Sequence, residues 1–243
     1  MSGGIFPWGV LVLAILGVAM VMTMSPSAGG GSERKDHGSS SNDRKDLPEP
    51  RRDGAVSLER AIEERRSTQS FSEEAISLAH VGQILWAAQG ITDEARGYRA
   101  APSAGATYPL NTYLVAGNVE GLSAGFYRYI PGEHALASVG GEDIRAELQR
   151  AALGQESVGT AAASLVLTCI YARTTGRYRQ RGVRYTHMEA GHAAQNAYLQ
   201  ATALKLGMVA IGAFEDGRVK SLLNLESDEE PLYLLPFGRP ADS

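Results

Sequence analysis

The chain has 243 residues, 44% hydrophobic and 21% charged, which suits one packed domain plus an appendage and excludes a wholly unstructured chain. Its formal net charge of −4 gives no general attraction to nucleic acid, and no basic stripe interleaved with aromatics is present. Cys169 is the only cysteine, which excludes an internal disulfide and any cysteine-based zinc site.

Residues 5–24 are twenty residues without a charge. As a helix they would extend roughly 30 Å, the thickness of a bilayer's hydrocarbon core. Residues 1–24 therefore read as an N-terminal transmembrane anchor. A cleaved signal peptide and a buried core helix are the alternatives. No Lys or Arg precedes the run, whereas Arg34 and Lys35 follow it. The positive-inside rule then places the following domain in the cytoplasm; a cleaved signal would make it exported. Residues 25–52 are rich in Gly, Ser, Asp, Lys and Pro and read as a disordered linker.

Residues 53–243 read as the folded domain. Ser57 is an N-cap candidate, with Leu58, Ala61, Ile62 and Arg65 following at helical spacing. Ser77 is another, before an apolar stripe of Leu78, Val81, Ile84, Leu85 and Ala88 that stops at Gly90. Residues 112–116 and 163–172 are rich in β-branched and apolar side chains and predict buried strands, the second holding Cys169 as a small core residue. Residues 142–153 predict a short amphipathic helix, and residues 187–206 the longest helix, ending at Gly207. Residues 208–211 and 232–235 predict short strands. Helices and strands intermix without strict alternation, which favours an α+β fold over a doubly wound sheet.

Familiar motifs are missing. No glycine-rich dinucleotide fingerprint, Walker A sequence or serine nucleophile elbow occurs. Glu189 and His192 form half of a di-iron motif without its second half. His187 and His192 lie five apart, about 140° round a helix, so they cannot share a metal, and no metal site is expected.

Four stretches taken together carry a resemblance. They are residues 64–71, containing Arg65-Arg66-Ser67-Thr68-Gln69; residues 101–109, containing Pro102-Ser103-Ala104-Gly105; residues 189–196, ending in Gln195-Asn196; and residues 236–240, containing Gly238-Arg239. In this order, over residues 56–240, the chain resembles the nitroreductase superfamily and, within it, the SagB-type branch that contains azoline dehydrogenases. The resemblance implies a mostly antiparallel sheet flanked by helices, bound FMN, and a homodimer with each flavin near the subunit interface.

It also implies roles. Arg65 and Arg239 match phosphate contacts, a task for which guanidinium forks are suited. Arg66 beside Arg65 either joins them or complements a helix C-terminus. Ser67 and Gln69 match positions at the flavin's polar edge, where relatives carry Arg or Lys in place of Gln69. A neutral amide would stabilise a reduced, anionic ring less than a cation does. Pro102, Ser103, Ala104 and Gly105 supply a turn of small residues that backbone can bring close to a cofactor. Gly212 and Ala213 follow a strand, fit a ring face, and lie where the family places an amide beside the flavin N5. Gln195 and Asn196 lie on the long helix, as cofactor contacts or as satisfied core amides.

The catalytic candidates are Tyr178 and Arg177, where the azoline branch carries Tyr preceded by Lys. A guanidinium is too basic to act as a general base near neutrality, so Arg177 points away from azoline oxidation and toward attraction of an anionic substrate. The leading expectation is an FMN-dependent oxidoreductase passing hydride from a donor, NAD(P)H, to a small organic acceptor. The alternatives are a membrane-tethered flavin- or ligand-binding protein without turnover, a SagB-type dehydrogenase acting on azoline-like heterocycles, and a scaffold without cofactor.

Overall fold

The computed structural model describes residues 44–241. The expected membrane anchor, and most of the expected linker, lie outside the described residues. Among the described residues no helix is long and apolar enough to cross a membrane.

The linker was expected to run to residue 52, but residues 44–51 are joined to the domain. Arg44–Asp46 form an edge strand, β1, antiparallel to a later strand at residues 135–137. Leu47 enters the core at 8% exposure, and the Leu47 N–H donates to the His134 carbonyl. Gln83 then clasps Arg51 at both main-chain groups, accepting from its N–H at 2.8 Å and donating to its carbonyl at 3.0 Å. An edge strand needs only backbone pairing and one apolar anchor, a signal too thin to read from composition.

Two serine-capped helices open the domain. α1 (Leu58–Glu64) and α2 (Leu78–Gln89) are capped by the hydroxyls of Ser57 and Ser77, which accept from the Arg60 and His80 N–H groups. A two-residue strand, β2 (Ile76–Ser77), leads into α2. Gly90 ends α2, though not by a left-handed turn, since its φ is −64°. Glycine is needed because a Cβ there would lie 2.2 Å from the Trp86 ring. A small hairpin follows, β3 (Ile91–Asp93) and β4 (Tyr98–Arg99), and then a single 3-10 turn over Ala104–Ala106.

The remaining elements are β5 (Leu110–Ala116), β6 (Val119–Glu120), β7 (Gly125–Ile130), β8 (Ala135–Gly140), α3 (Arg145–Ala151), α4 (Glu156–Thr160), β9 (Ala163–Ile170), α5 (Ala172–Tyr178), α6 (Arg181–Ala203), β10 (Gly207–Met208), α7 (Asp216–Leu222) and β11 (Glu229–Gly238). The main sheet of the described residues has the order β1-β8-β7-β5-β9-β11-β10, every pair antiparallel. This is the α+β architecture expected.

Both faces of the sheet are covered, which explains its uniformly apolar central strands. Leu114, Leu165 and Leu235 pack with α2 and with the alanine face of α6, namely Ala190, Ala193, Ala194, Ala197 and Ala201. Their strand neighbours Val115, Val166 and Leu234 turn to the other face against α3, α4 and α7. Side chains such as Leu114, Leu165 and Phe237 are fully buried, each worth about 1.5–3 kcal/mol on leaving water.

Several boundaries differ from expectation. β9 stops at Ile170, two residues short of the expected strand, and α6 starts at Arg181, six residues before the expected helix, with α5 between them. Gly182 lies inside α6 because a Cβ would come within 2.7 Å of the Thr175 nitrogen where the two helices meet. β11 runs through Pro231, where the pairing with β9 shifts register, the usual way a strand accommodates proline.

Candidate active site

The chain after α1 runs along the end of the sheet. Ser67 bridges to Met208, Thr68 N–H donates to the Met208 carbonyl at 2.9 Å, and Ser72 N–H donates to the Arg239 carbonyl at 3.0 Å. Residues from opposite ends of the domain, Arg65-Ser67-Gln69 and Gly238-Arg239, thereby share one edge. Gly238 is buried against Ala162 and Phe71, and a Cβ there would lie 3.1 Å from the Ala162 nitrogen.

Tyr198 of α6 organises this edge, and the sequence reading missed it. Its hydroxyl lies 2.9 Å from Ser67 Oγ and accepts from the Ala210 N–H at 3.0 Å. The Arg65 guanidinium sits over the Tyr198 ring, 5.3 Å from its centroid. Arg239 pairs with Glu74 at 2.9 Å, an exposed contact worth well under 1 kcal/mol that leaves the guanidinium open to an anion. Arg66 donates to the carbonyls of Glu63 and Arg65, both at 2.8 Å, so it complements the C-terminus of α1, the second of its two readings. Gln69 is exposed.

Two residues beyond Ala210, Gly212 and Ala213 form an exposed shelf after Ile211, which is hydrogen-bonded to Leu234. A Cβ on Gly212 would meet nothing closer than Tyr233 at 3.8 Å. The space over this glycine is therefore open to another molecule.

The second set of candidates also comes together. In the turn after Pro102, Gly105 has φ +61°, and a Cβ on it would stand 2.6 Å from the Tyr178 hydroxyl oxygen. Arg177 Nη1 donates to the Gly105 carbonyl at 3.2 Å, and Tyr178 meets Tyr185 edge to face at 5.1 Å. Asn196 donates to the Ala100 carbonyl at 3.2 Å, which braces the approach to the turn. Gln195 is exposed.

The structure does not bring the two sets into one pocket within a chain. Tyr185 and Tyr198 are thirteen positions apart on α6, about 20 Å along its axis. A cleft of about 420 Å³ between residues 51–58, α2 and α6 is lined by Trp86, Asn196 and Leu199, and includes none of Arg65, Ser67, Gly212, Arg239 or Tyr178. Leu58 and Ile62, expected on the apolar face of α1, are 61% and 56% exposed, with only Ala61 buried. Met188 on α6 is 51% exposed.

Electrostatics separate structural from chemical groups. Burial pushes the Cys169 thiol up to about 12, so it is an inert core residue, as expected. The five arginines of residues 173–184 have no carboxylate partner among the described residues. They make the α5–α6 corner beside Tyr178 strongly cationic.

Antiparallel sheet, alanine-faced long helix, and an arginine-serine segment hydrogen-bonded beside Gly238-Arg239 together define an α+β protein with both faces of its main sheet covered. Residues 62–239 match the model of the nitroreductase family, and the chain belongs to that family. It is an oxidoreductase of that family.

The chain is 44% identical over 184 residues to MJ1384 of Methanocaldococcus jannaschii, a nitroreductase by name, a match covering 76% of this chain and 91% of that one. It is 31% identical over 170 residues to the microcin B17-processing protein McbC of Escherichia coli, covering 67% of this chain and 62% of McbC. The latter supports the resemblance to the SagB-type branch. Among solved structures, a nitroreductase-like protein of Ralstonia eutropha superposes with a TM-score of 0.73 at 30% identity, covering 83% of this chain and 91% of that one.

Proposed function

We propose that this chain is an FMN-dependent oxidoreductase acting on a small organic acceptor, with NAD(P)H as the donor. The carrying observation is the hydrogen-bonded juxtaposition of the Arg65–Gln69 segment with Gly238-Arg239 beside an open Gly212–Ala213 shelf. The donor set fits FMN: two guanidinium groups for a dianionic phosphate, a hydroxyl and an amide for the polar edge, and small residues for a flat ring.

Arg65 and Arg239 hold the phosphate. Tyr198 fixes Arg65 by its ring and Ser67 by its hydroxyl, so neither must be ordered on binding. Ser67 and Gln69 would supply polar contacts to the ring, and Gly212 and Ala213 would leave room for its flat face. When bound, FMN supplies the hydride acceptor and donor that the side chains lack. Tyr178 is the proton donor at the substrate, and Arg177, fixed on the Gly105 carbonyl, attracts anionic substrate or donor without acting as base. That last point favours nitro- or quinone-type acceptors over azoline oxidation.

A homodimer completes the site. The turn of Pro102, Ser103, Ala104 and Gly105, with Tyr178, comes from the partner protomer, which also covers Leu58, Ile62 and Met188. Residues 1–24 tether the domain to the membrane, with the domain on the cytoplasmic side.

The test is the visible spectrum of the purified full chain before and after NADPH. A yellow protein that bleaches and recovers with an acceptor supports the reading. A yellow protein that no donor bleaches supports the flavin-binding alternative, and a colourless protein that takes up no FMN overturns both.

A further inference from the structure

Beneath the Pro102–Gly105 turn lies a polar cluster that the chemistry above leaves unused. Glu189 of α6 is 2% exposed and Gln89 of α2 is fully buried. Arg99 of β4 donates to Gln89 Oε1 at 2.8 Å, and its guanidinium lies over the Tyr108 ring, 4.7 Å from the centroid. Ser103 Oγ accepts the Tyr108 N–H at 2.9 Å, and the Ser103 side chain stands beside the Glu189 carboxyl. Three buried polar atoms here have no protein partner: Glu189 Oε1, Gln89 Nε2 and Arg99 Nε. Buried polar atoms are rarely left without a protein partner, so the cluster is sensitive to any change of charge within it.

We propose that Glu189 is a positioning residue whose protonation state sets the turn carrying Ser103 and Gly105, and through Gly105 the placement of Arg177 and Tyr178. The second link is direct, because Arg177 is fastened to the Gly105 carbonyl and Tyr178 leaves no room for a Cβ on Gly105. The first link is the carboxyl itself. Neutral, it tolerates one oxygen without a donor; ionised, it places charge on that oxygen in a site closed to water. Opening of the turn to solvent relieves that charge.

The groups facing Glu189 are few. They are Arg99 from β4, Ser103 and Tyr108 from the loop, and Gln89 from α2, while Arg173 and Tyr129 act on Arg99. Burial pushes the carboxyl up to about 7 against the Ser103 hydrogen bond and the Arg99 charge, which pull the other way. The closed turn is therefore fully favoured below the pKa of an open, solvated carboxyl. It loses that advantage as pH rises through about 7. The consequence for turnover rests on the flavin reading; the link from Glu189 to the turn does not.

The test is amide hydrogen exchange of the peptide spanning residues 100–108 in the full chain without added flavin, from about pH 5.5 to about pH 8.5. The ratio of wild type to Glu189→Gln at each pH cancels the intrinsic pH dependence. The ratio is expected to rise with pH by about thirtyfold, because Gln keeps the shape and cannot ionise. A flat ratio overturns the proposal. Should Glu189→Gln fail to fold, infrared titration of the wild-type carboxyl decides: loss of its protonated band near neutrality supports the assignment, and loss only in the ordinary carboxylate range overturns it. In flavin-loaded protein the kcat–pH profile should lose an inflection in Glu189→Gln. An exchange response without that kinetic change refutes the placement of Tyr178 by the turn while leaving flavin binding itself intact.

Discussion

Substituting Arg239 by Ala isolates the phosphate grip from the stability of the fold. In the protein without cofactor, Arg239 makes an ion pair with Glu74, and the two side chains are 42% and 72% exposed. Solvent screening leaves such a pair worth well under 1 kcal/mol, so the unliganded variant should melt within a few degrees of wild type. Against a dianionic phosphate the same guanidinium makes charge-assisted hydrogen bonds worth roughly 1.5–3 kcal/mol. Losing them weakens FMN binding by about ten- to a hundredfold. Titration of stripped protein with FMN, followed by quenching of flavin fluorescence, measures this directly. Glu74→Gln is the control, since it releases Arg239 without removing it and should leave affinity equal or tighter. Unchanged FMN affinity in Arg239→Ala with an intact melting temperature would refute the phosphate assignment.

Other perturbations separate roles along the same edge. Tyr198→Phe removes the hydroxyl that meets Ser67 and Ala210, leaving the Ala210 N–H without its acceptor. About 1–2 kcal/mol of stability should go, read by chemical denaturation, together with part of the flavin affinity. Gly105→Ala places a methyl 2.6 Å from the Tyr178 hydroxyl oxygen at a φ of +61°, so turnover should fall by more than tenfold while FMN binding to the Arg65–Arg239 edge persists. Thermal stability should also carry the mark of Glu189. Wild type should lose ground to Glu189→Gln between about pH 5 and pH 8, by up to about 3 kcal/mol, because the folded carboxyl is raised to about 7. Parallel pH–stability curves for the two proteins would contradict the burial argument.

The fold was legible where local signals are strong, and obscured where long-range contact decides. The serine caps of α1 and α2 could be read directly, because an N-cap is a local hydrogen bond. The central strands showed as apolar runs since both faces are buried. The start of α6 was hidden: residues 181–186 carry arginines and a glycine whose purpose, close approach to α5, exists only in three dimensions. Prolines at 231 and 236 made β11 look shorter than its ten residues, because a bulge absorbs the first. At the site, Arg65, Ser67 and Arg239 were legible from motif order, and the structure places their segments side by side. Tyr198 and Glu189 were not, since a tyrosine or glutamate on a helix says nothing of its partner until the opposing loop is in place. Glu189 drew notice as half of a metal motif and as the first residue of the 189–196 stretch, with no role of its own.

The separation along α6 has a consequence that can be tested without a structure of the assembly. Arg239 and Tyr178 sit at sets of residues about 20 Å apart on one helix, so a flavin held by the first reaches the second most simply across a two-fold axis. Consider Arg239→Ala and Tyr178→Phe, each assayed at an FMN concentration that fills the wild-type site and leaves the Arg239→Ala site empty. In a mixed dimer whose sites span the interface, one site carries both lesions and the other carries neither. Free subunit exchange of equal amounts makes about half the dimers mixed, so about a quarter of all sites regain wild-type composition. Sites built within single protomers regain none, whatever the mixing. Recovery of about a quarter of wild-type activity after exchange therefore supports the shared site. Absence of recovery, with exchange verified by mass spectrometry, would place both halves in one chain and require Tyr178 to act somewhere other than at the flavin held by Arg239.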